Sequence, residues 1–326
     1  MKKTIIFILS LFLALLGFEL FLKYSPFEYG TSPGEYDKDI GVWHKKNFSG
    51  YSISECYKTK YYYDDKGLPK STKPYDKEKD DIVFLGDSFV EAVMIPNPHI
   101  IHNAFAKHLN YKYNVLNYGL SGTSAVQSFM ILKKKVNLAK TDYVIEFVEL
   151  DGDLLEVDYQ SHNSMSRPKV YLDFKSLTEY KVIPPRAINL KDKVGDFLGN
   201  YQIYFFIKKL IYSLQKKITT PTTKKEVVEN LSKNWLYLQA SIYQTYLLAK
   251  QNNIKFLLII NAKDTKNKDK LTTFLKKENI PFMSIQEVAE EKGIELQTFS
   301  CDGHWTKETH NDISKIILES GFIQSK

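Results

Sequence analysis

Short apolar runs alternate with amphipathic segments along residues 81–326, which is the pattern of strands and helices that follow one another. Five runs are short and apolar enough to be buried strands: 82–85, 114–116, 143–150, 255–260 and 282–285. Helices are predicted between and after them, over 97–110, 124–136, 231–252, 264–278 and from Thr306 onward. Strand and helix alternation of this kind predicts an α/β fold, a mostly parallel sheet with helices on both faces.

The alternation is interrupted by an insertion at about residues 154–230. Within it, residues 169–182 are predicted to form a hairpin, bounded by Pro168 and Pro184. Residues 197–214 are apolar on more than one side, so this helix must be buried, close over the domain as a lid, or lie against a bilayer. Core or lid packing is the favoured interpretation, because apolar helices of soluble domains are usually buried.

The first residues form a separate apolar segment, 4–22, which follows Lys2 and Lys3 and contains one acid, Glu19. It is long enough to span a bilayer, and the leading lysines favour a cytoplasmic N-terminus with the remainder outside. A cleaved signal peptide is the main alternative, but small residues of the A-x-A kind do not follow the segment, so an uncleaved anchor is favoured. A buried core helix is the third interpretation.

These segments divide the chain into an anchor or signal (1–22), a stem (23–80) and a domain (81–326). The stem is rich in Tyr, Lys, Asp, Gly and Pro and is predicted to be irregular, with one or two short strands. The predicted localisation is a single-pass membrane protein whose C-terminal domain lies outside the cytoplasm, on the periplasmic or extracellular face.

Composition limits the partners and cofactors of this chain. The net charge of +7 comes from 45 basic and 38 acidic residues, but only Arg167 and Arg186 are arginine and the lysines are scattered, so no nucleic-acid partner is predicted. The spacing of cysteines and histidines fits no metal site, and no phosphate-binding loop is present; no cofactor is predicted. Cys56 and Cys301 could pair in an oxidising compartment, or Cys301 could be a small packing residue; the sequence leaves both open.

Candidate chemistry lies at the end of the first predicted strand. Ser88 follows this strand and Gly86, which places its hydroxyl at the carboxyl edge of the sheet. A serine hydroxyl is a weak nucleophile until a base removes its proton, and a carboxylate commonly orients that base. His304 and Asp302, just before the last predicted helix, supply both residue types.

The motifs Gly-Asp-Ser, ending at Ser88, and Asp-Gly-His, ending at His304, resemble those of the SGNH (GDSL-type) hydrolases. The resemblance covers about residues 81–326 and implies a flavodoxin-like three-layer fold with a five-stranded sheet and an inserted lid-like segment. It also implies that Ser88 is the nucleophile, His304 the base and Asp302 its partner. The ending Asp302 to Trp305 is similar to a membrane-anchored bacterial branch that includes polysaccharide O-acetylation proteins.

The same resemblance suggests an oxyanion and substrate-binding set. The N–H of Gly119, after the second strand, matches the family's second block and would act with the N–H of Ser88. In the third block, Asp153 matches the family's aspartate, but Gly152 stands where the family has asparagine. Loss of one such donor typically costs about a hundredfold or more in turnover.

The sequence therefore predicts an extracytoplasmic serine esterase or O-acyltransferase that works through an acyl-enzyme on Ser88. O-acetyl is the expected acyl group. Its substrate would be an acylated cell-surface glycan or a small ester, and a transferase would need a membrane-bound acyl-donor partner. The alternative is a weak or inactive SGNH-like glycan-binding or scaffold protein, suggested by Gly152 and by 22 tyrosines that could stack on sugars. An unrelated α/β protein with coincidental motifs is a third interpretation.

Overall fold

The computed structural model describes residues 2–25, 29–158, 168–216, 231–262 and 265–324. The strands in chain order are β1 (Gly34–Asp37), β2 (Gly41–His44), β3 (Ser49–Ile53), β4 (Lys58–Tyr62), β5 (Asp81–Leu85), β6 (Asn114–Asn117), β7 (Thr141–Glu149), β8 (Tyr171–Phe174), β9 (Tyr180–Ile183), β10 (Lys255–Asn261) and β11 (Phe282–Ser284). The helices are α1 (Lys2–Tyr24), α2 (Ser88–Glu91), α3 (Ile101–His108), α4 (Ala125–Lys135), α5 (Leu150–Glu156), α6 (Leu190–Leu198), α7 (Gln202–Lys216), α8 (Leu231–Gln251), α9 (Thr265–Lys277), α10 (Ile285–Glu291) and α11 (Lys307–Glu319).

A five-stranded sheet in the order β11-β10-β7-β5-β6 forms the centre of the domain, and every neighbouring pair in it is parallel. Side chains of β7 alternate between its two faces. Val144 and Val148 pack with residues of α4 and α8, whereas Ile145 and Phe147 pack with residues of α3 and α11. The predicted fold, a three-layer α/β sandwich with a mostly parallel five-stranded sheet, is confirmed.

The sheet order places a crevice beside β5. The chain leaves β5 for β6 on one side and then crosses to β7 on the other, so the direction of winding reverses at β5. Loops that follow β5 and β6 therefore meet at the carboxyl edge of the sheet, the usual position of sites in open α/β folds. The segment after β5 carries Ser88.

The stem differs from the sequence expectation. It contains four strands in two antiparallel pairs, β1 with β2 and β3 with β4, rather than an irregular linker. Ile40, Trp43 and Leu68 are buried and belong to the same hydrophobic cluster as one face of the central sheet. Trp43, Tyr61 and Tyr63 of the stem are buried, whereas Tyr62 and Tyr75 are each 40% exposed.

The insertion agrees with the sequence expectation in its hairpin and differs from it in its helices. The predicted hairpin is present as β8 and β9, which pair antiparallel. The predicted single helix over 197–214 is two helices, α6 and α7, because the chain breaks helical geometry around Gly199. Ile207 and Ile211 of α7 are each 48% exposed, so core packing, part of the favoured interpretation, is wrong for these residues. A lid function for the segment stays a prediction.

Helix α1 is long and apolar enough to cross a membrane. Signal sequences have the same length and composition. Nearly all of its side chains are exposed, and only Leu22 is buried. Near its C-terminal end α1 meets α7 through Phe18 and Glu19, and the apolar side chains before this end are exposed. A helix with so much exposed apolar surface is stable in a lipid environment rather than in water. Membrane anchoring through α1 stays a proposal.

Candidate active site

The position of Ser88 follows from the buried strand before it. Residues Ile82 to Leu85 of β5 are fully buried, which fixes the strand in the middle of the sheet. Gly86 then turns the chain with φ +153°, and a Cβ there would lie 2.6 Å from Val90 Cγ2, so only glycine fits. The Asp87 carboxylate accepts the Phe89 N–H at 2.9 Å and caps α2, whose first residue is Ser88.

His304 meets Ser88 from the loop before α11. Its Nε2 lies 2.8 Å from Ser88 Oγ, within hydrogen-bond reach of the serine proton. The loop is held in shape because Phe299 N–H donates to the His304 carbonyl at 2.7 Å and Thr298 bridges Trp305. Two segments distant in sequence therefore converge in the arrangement that general-base activation of a serine requires.

Asp302 lies beside the other nitrogen of the His304 ring. Its Oδ1 is 3.4 Å from Nδ1, an electrostatic contact somewhat longer than a good hydrogen bond, and also accepts the His304 backbone N–H at 3.1 Å. Its Oδ2 accepts the Tyr57 hydroxyl at 2.8 Å. Burial, together with Asp302, raises the pKa of Tyr57, so the phenol stays a proton donor to this carboxylate.

A disulfide joins the stem to the His304 loop. Cys56 and Cys301, whose pairing the sequence left open, are bonded with a Cα–Cα distance of 5.9 Å. They are the immediate neighbours of Tyr57 and Asp302, so the covalent link and the phenol contact fix the same turn. Disulfides of this kind persist in oxidising compartments.

Aromatic rings lie around His304. Phe89 lies next to Ser88, and its ring centroid is 4.9 Å from that of His304 and 4.8 Å from that of Trp305. On the stem side, the rings of Tyr57 and Phe299 are 5.1 Å apart. Trp305 is buried, whereas Phe89, Tyr57 and Phe299 are half-buried. The partly open rings provide apolar surface beside the Ser88 hydroxyl.

Gly119 lies against the helix that begins with Ser88. A Cβ at Gly119 would lie 2.4 Å from the Glu91 backbone nitrogen, so this close approach requires glycine. The neighbouring Leu120 N–H donates to the Gly86 carbonyl at 2.9 Å. The Gly119 N–H itself donates to Asn117 Oδ1 at 2.9 Å. The residue is therefore beside the site as predicted, but its N–H is engaged within its own turn, and its oxyanion role stays a prediction.

Gly152 and Asp153 lie in α5, directly after β7. The Gly152 N–H donates to Glu149 Oε2 at 2.6 Å, and the Asp153 side chain is buried. Burial, together with the like charge of Asp87, raises the pKa of Asp153 well above its usual range. Burial, together with Glu149, likewise raises the pKa of Asp87. Both carboxyl groups therefore hold a proton more readily than an ordinary aspartate does. The substrate-binding role of Gly152 and Asp153 stays a prediction.

Metal binding finds no support in the side chains around Ser88. Within the described ranges, no group of three or more His, Cys, Asp or Glu side chains is arranged to hold a metal ion. The acid-rich surroundings of Asp87 are accounted for by protonation and by backbone contacts.

A buried polar network that sequence reasoning missed connects the stem to α2. Glu91, 2% exposed, lies 2.9 Å from His44 Nε2 through Oε1 and accepts the Ser121 N–H at 2.6 Å through Oε2. The Tyr63 hydroxyl also donates to it. His44 Nδ1 lies 2.8 Å from the Gly67 carbonyl. Both ring nitrogens of His44 therefore face oxygen atoms, one of Gly67 and one of Glu91.

The Glu91 network fixes the geometry of two loops at once. Ser121 belongs to the turn that contains Gly119, and Glu91 belongs to the helix that begins with Ser88. The sequence offered one weak signal for this network, His44 beside Val42 and Trp43 in an alternating strand pattern. It offered none for the pairing with Glu91.

Comparisons with known proteins bear on the fold. No family model matches the chain, and no curated protein matches its sequence. Solved structures do match. A lipolytic protein of the G-D-S-L family from Desulfitobacterium hafniense is 13% identical over 74% of this chain and 98% of its own, with TM-score 0.40. An acetylxylan esterase from Geobacillus stearothermophilus is 13% identical over 76% and 97%, with TM-score 0.40.

A GDSL-like lipase from Bacteroides thetaiotaomicron is 15% identical to this chain, over 76% of this chain and 90% of its own, with TM-score 0.39. The three are described as a lipolytic protein, an esterase and a lipase, and two of them carry the G-D-S-L name. At such low identities and TM-scores, the likeness assigns no activity to this chain. What the chain does must be inferred from the contacts of its own residues.

Proposed function

We propose that this chain, an SGNH (GDSL-type) hydrolase by its motifs and strand order, is a membrane-anchored serine esterase that acts outside the cytoplasm. The contact between Ser88 Oγ and His304 Nε2, at 2.8 Å, carries the proposal. A base in hydrogen-bond reach of a serine at the carboxyl edge of a parallel sheet is the minimum that acyl transfer requires.

The reaction proceeds in two halves. His304 takes the proton of Ser88 as the oxygen attacks the ester carbonyl, and returns it to the leaving alkoxide, which gives an acyl-enzyme. Asp302 stabilises the imidazolium in both halves. Its 3.4 Å distance from Nδ1 is of the kind that shortens when substrate binds. Water or an acceptor hydroxyl then attacks the acyl-enzyme with His304 again as base.

The cellular location is supported by two independent features. Lys2 and Lys3 precede an apolar helix long enough to cross a bilayer, which favours export of everything after it. The Cys56–Cys301 disulfide fits an oxidising compartment. Both features point to the same side of the membrane for Ser88.

An acylated glycan is the substrate class that suits the rings around the site. Tyr57, Phe89 and Phe299 are half-buried, and their faces offer the flat apolar surface on which sugar rings pack. Acetyl is the proposed acyl group, on the resemblance to polysaccharide O-acetylation proteins. The donor of that acetyl group in a transferase reaction would be a membrane-bound partner.

The test uses the full chain purified in detergent. We expect it to release acetate from an aryl acetate and to be labelled by a fluorophosphonate probe. We expect Ser88→Ala to lose labelling and at least about a thousandfold in turnover, while the matched control Ser71→Ala keeps both. Unchanged acetate release by Ser88→Ala would remove the mechanism.

Hydrolysis and transfer separate in a second experiment. The acyl-enzyme is common to both, so adding a de-acetylated polysaccharide to the aryl acetate reaction offers a competing acceptor. Acetate that appears on the polysaccharide identifies a transferase. Acetate released only into solution identifies a hydrolase.

A weak or inactive glycan-binding protein is the second candidate, and one observation favours it. The N–H groups of Gly119 and Gly152 both donate to side chains of their own segments, so neither is free for an oxyanion as the chain stands. A folded protein that binds acetylated polysaccharide but takes no fluorophosphonate label would support this candidate.

A further inference from the structure

Helix α6 presents an apolar stripe that the described protein does not cover. Leu190, Val194 and Phe197 are 77%, 46% and 62% exposed, and their spacing puts them on one side of the helix. None of the residues of α6 is buried. Large apolar side chains exposed at helical spacing mark a surface that something else covers.

Helix α7 also carries exposed apolar side chains, and it packs on α1. Ile207 and Ile211 of α7 are each 48% exposed. In the first half of the same helix, the ring of Phe206 packs edge to face on Phe18 of α1, with centroids 5.5 Å apart. The helix that follows the α6 stripe in the chain is therefore attached to the apolar helix proposed to cross the membrane.

Glu19 shows how firmly the two helices are joined. A carboxylate inside an apolar helix is costly in a bilayer unless it is paired. Its two oxygens accept the backbone N–H groups of Gln202 at 2.7 Å and Ile203 at 2.9 Å. These are the first N–H groups of α7, which have no partner within a helix and carry its positive dipole end. These two hydrogen bonds give partners both to the Glu19 carboxylate of α1 and to the first N–H groups of α7.

The position of Glu19 sets the depth of this junction. Helix α1 ends at Tyr24, after Lys23, and such residues commonly lie at a membrane surface. At about 1.5 Å per residue, the step from Glu19 to Tyr24 is about 8 Å. The beginning of α7 thus lies at the depth where amphipathic helices rest, about 5 to 10 Å into the boundary between headgroups and acyl chains.

Basic residues flank the apolar surface. Lys191 and Lys193 of α6 and Lys208 of α7 are exposed. Lysines beside an apolar stripe are typical of helices that lie on membranes, because their ammonium groups meet anionic headgroups while their stems lie along the apolar surface.

We propose that α6 and α7 form a membrane-surface element, in which Leu190, Val194 and Phe197 insert into the outer leaflet of a bilayer with anionic lipid. It rests on the proposed anchoring of α1 and goes beyond it, because the chain would hold the bilayer through a second surface as well as through its span. The esterase site would then be held at a fixed height and orientation above the lipid rather than on a free tether.

The test places a spin label on the full chain in lipid nanodiscs that contain an anionic phospholipid. The native cysteines are paired, so an introduced cysteine is the thiol that reacts. Val194→Cys and Phe197→Cys report on the stripe. Asp196→Cys, exposed on another side of the same helix, is the matched control. Leu13→Cys, in the middle of α1, reports on the anchor. Near-UV circular dichroism checks that each variant is folded.

We expect labels at 194 and 197 to be relaxed by oxygen, which concentrates in lipid, and the label at 196 to be relaxed by a water-soluble nickel chelate. The oxygen-to-nickel ratio should differ several-fold between the two sides. Equal nickel access at 196 and 197 would overturn the proposal. Low access to both reagents at 197 would also overturn it, because a second protein copy would then cover the stripe. A label at position 13 in water would reject the anchor itself, without bearing on the esterase site.

Discussion

Replacing Glu91 by glutamine would keep the shape of the side chain and remove the charge on which the stem network depends. Glu91 is 2% exposed, and its Oε1 lies 2.9 Å from His44 Nε2. Glutamine removes the negative charge that faces His44, and removing one partner of a buried pair is strongly destabilising. The exposed Glu78 provides a control, because Glu78→Gln removes a charge at the surface.

Two estimates of the effect agree. Burial opposes ionisation of Glu91, but the His44 charge and hydrogen bonds from Ser121 and Tyr63 outweigh it and lower its pKa from 4.5 to about 2. That change corresponds to about 3 kcal/mol of folding free energy at neutral pH. Breaking a buried ion pair costs about 3–5 kcal/mol in other proteins. We expect Glu91→Gln to lower the unfolding free energy by about 3 kcal/mol, and Glu78→Gln by less than about 0.5 kcal/mol.

The pH dependence makes the test sharper. A carboxyl whose folded pKa is lowered contributes its stability above the unfolded pKa of about 4.5, and this contribution disappears as pH falls towards 2. The difference between the native chain and Glu91→Gln should therefore persist from pH 7 to pH 5 and shrink below pH 4. Urea unfolding of the full chain in detergent, followed through the fluorescence of buried Trp43 and Trp305, measures it. A difference under about 1 kcal/mol at pH 7 would contradict the ion pair.

Two other contacts of the site give expected outcomes. Tyr57→Phe removes the hydroxyl that donates to Asp302 at 2.8 Å. We expect kcat/KM on an aryl acetate to fall about tenfold, equivalent to about 1.4 kcal/mol. An unchanged kcat/KM would mean that the phenol does not orient the Asp302–His304 pair. Burial, with Glu149 next, raises the pKa of Asp87 from 3.8 to about 7, so native stability should decrease as pH rises from 4 through 7, by at most about 4 kcal/mol. Glu149→Gln removes a negative charge that helps to raise the pKa of Asp87 and keeps an amide oxygen to accept the Gly152 N–H. It should flatten this dependence in thermal unfolding at pH 5 and pH 8, and equal slopes would argue against the coupling.

The central sheet could be predicted because its strands carry their own signal. Buried parallel strands are continuous apolar runs, and β5 and β10 were placed from such runs alone. The end of β7 was less clear. The apolar run continues into Leu150, but the strand stops at Glu149 because the Glu149 carboxylate accepts the Gly152 N–H and starts α5. A side-chain cap decided the boundary where hydrophobicity did not.

The helices of the insertion show the limit of hydrophobic periodicity. An apolar segment over 197–214 predicted one helix packed in the core or as a lid, but the partner that covers an apolar face is not encoded in the face itself. Helix α7 packs on α1 through Phe18 and Glu19, residues near the N-terminus of the chain. Only the three-dimensional arrangement could reveal that the acid in the N-terminal segment is the cap of a distant helix.

The contact between Ser88 and His304 could be predicted for a reason that does not extend to the residues that position them. Ser88 and His304 each sit in a local motif with a recognisable turn and a helix start. Tyr57 is an ordinary tyrosine in the sequence, and its contact with Asp302 depends on how the stem folds over the domain. The same holds for the disulfide, since the spacing of two cysteines does not determine whether they meet.

The division between stem and domain at residue 81 therefore has little physical meaning for catalysis. His44 contacts Glu91 in the helix of Ser88, while Tyr57 and Cys56 hold the loop of Asp302 and His304. The sheet alone positions Ser88, but the loop of His304 depends on these contacts for its position. Ser88 and His304, 2.8 Å apart, gain their alignment from the segment that follows α1. The apolar helix α1 and the contacts that align Ser88 with His304 thus belong to one continuous piece of chain.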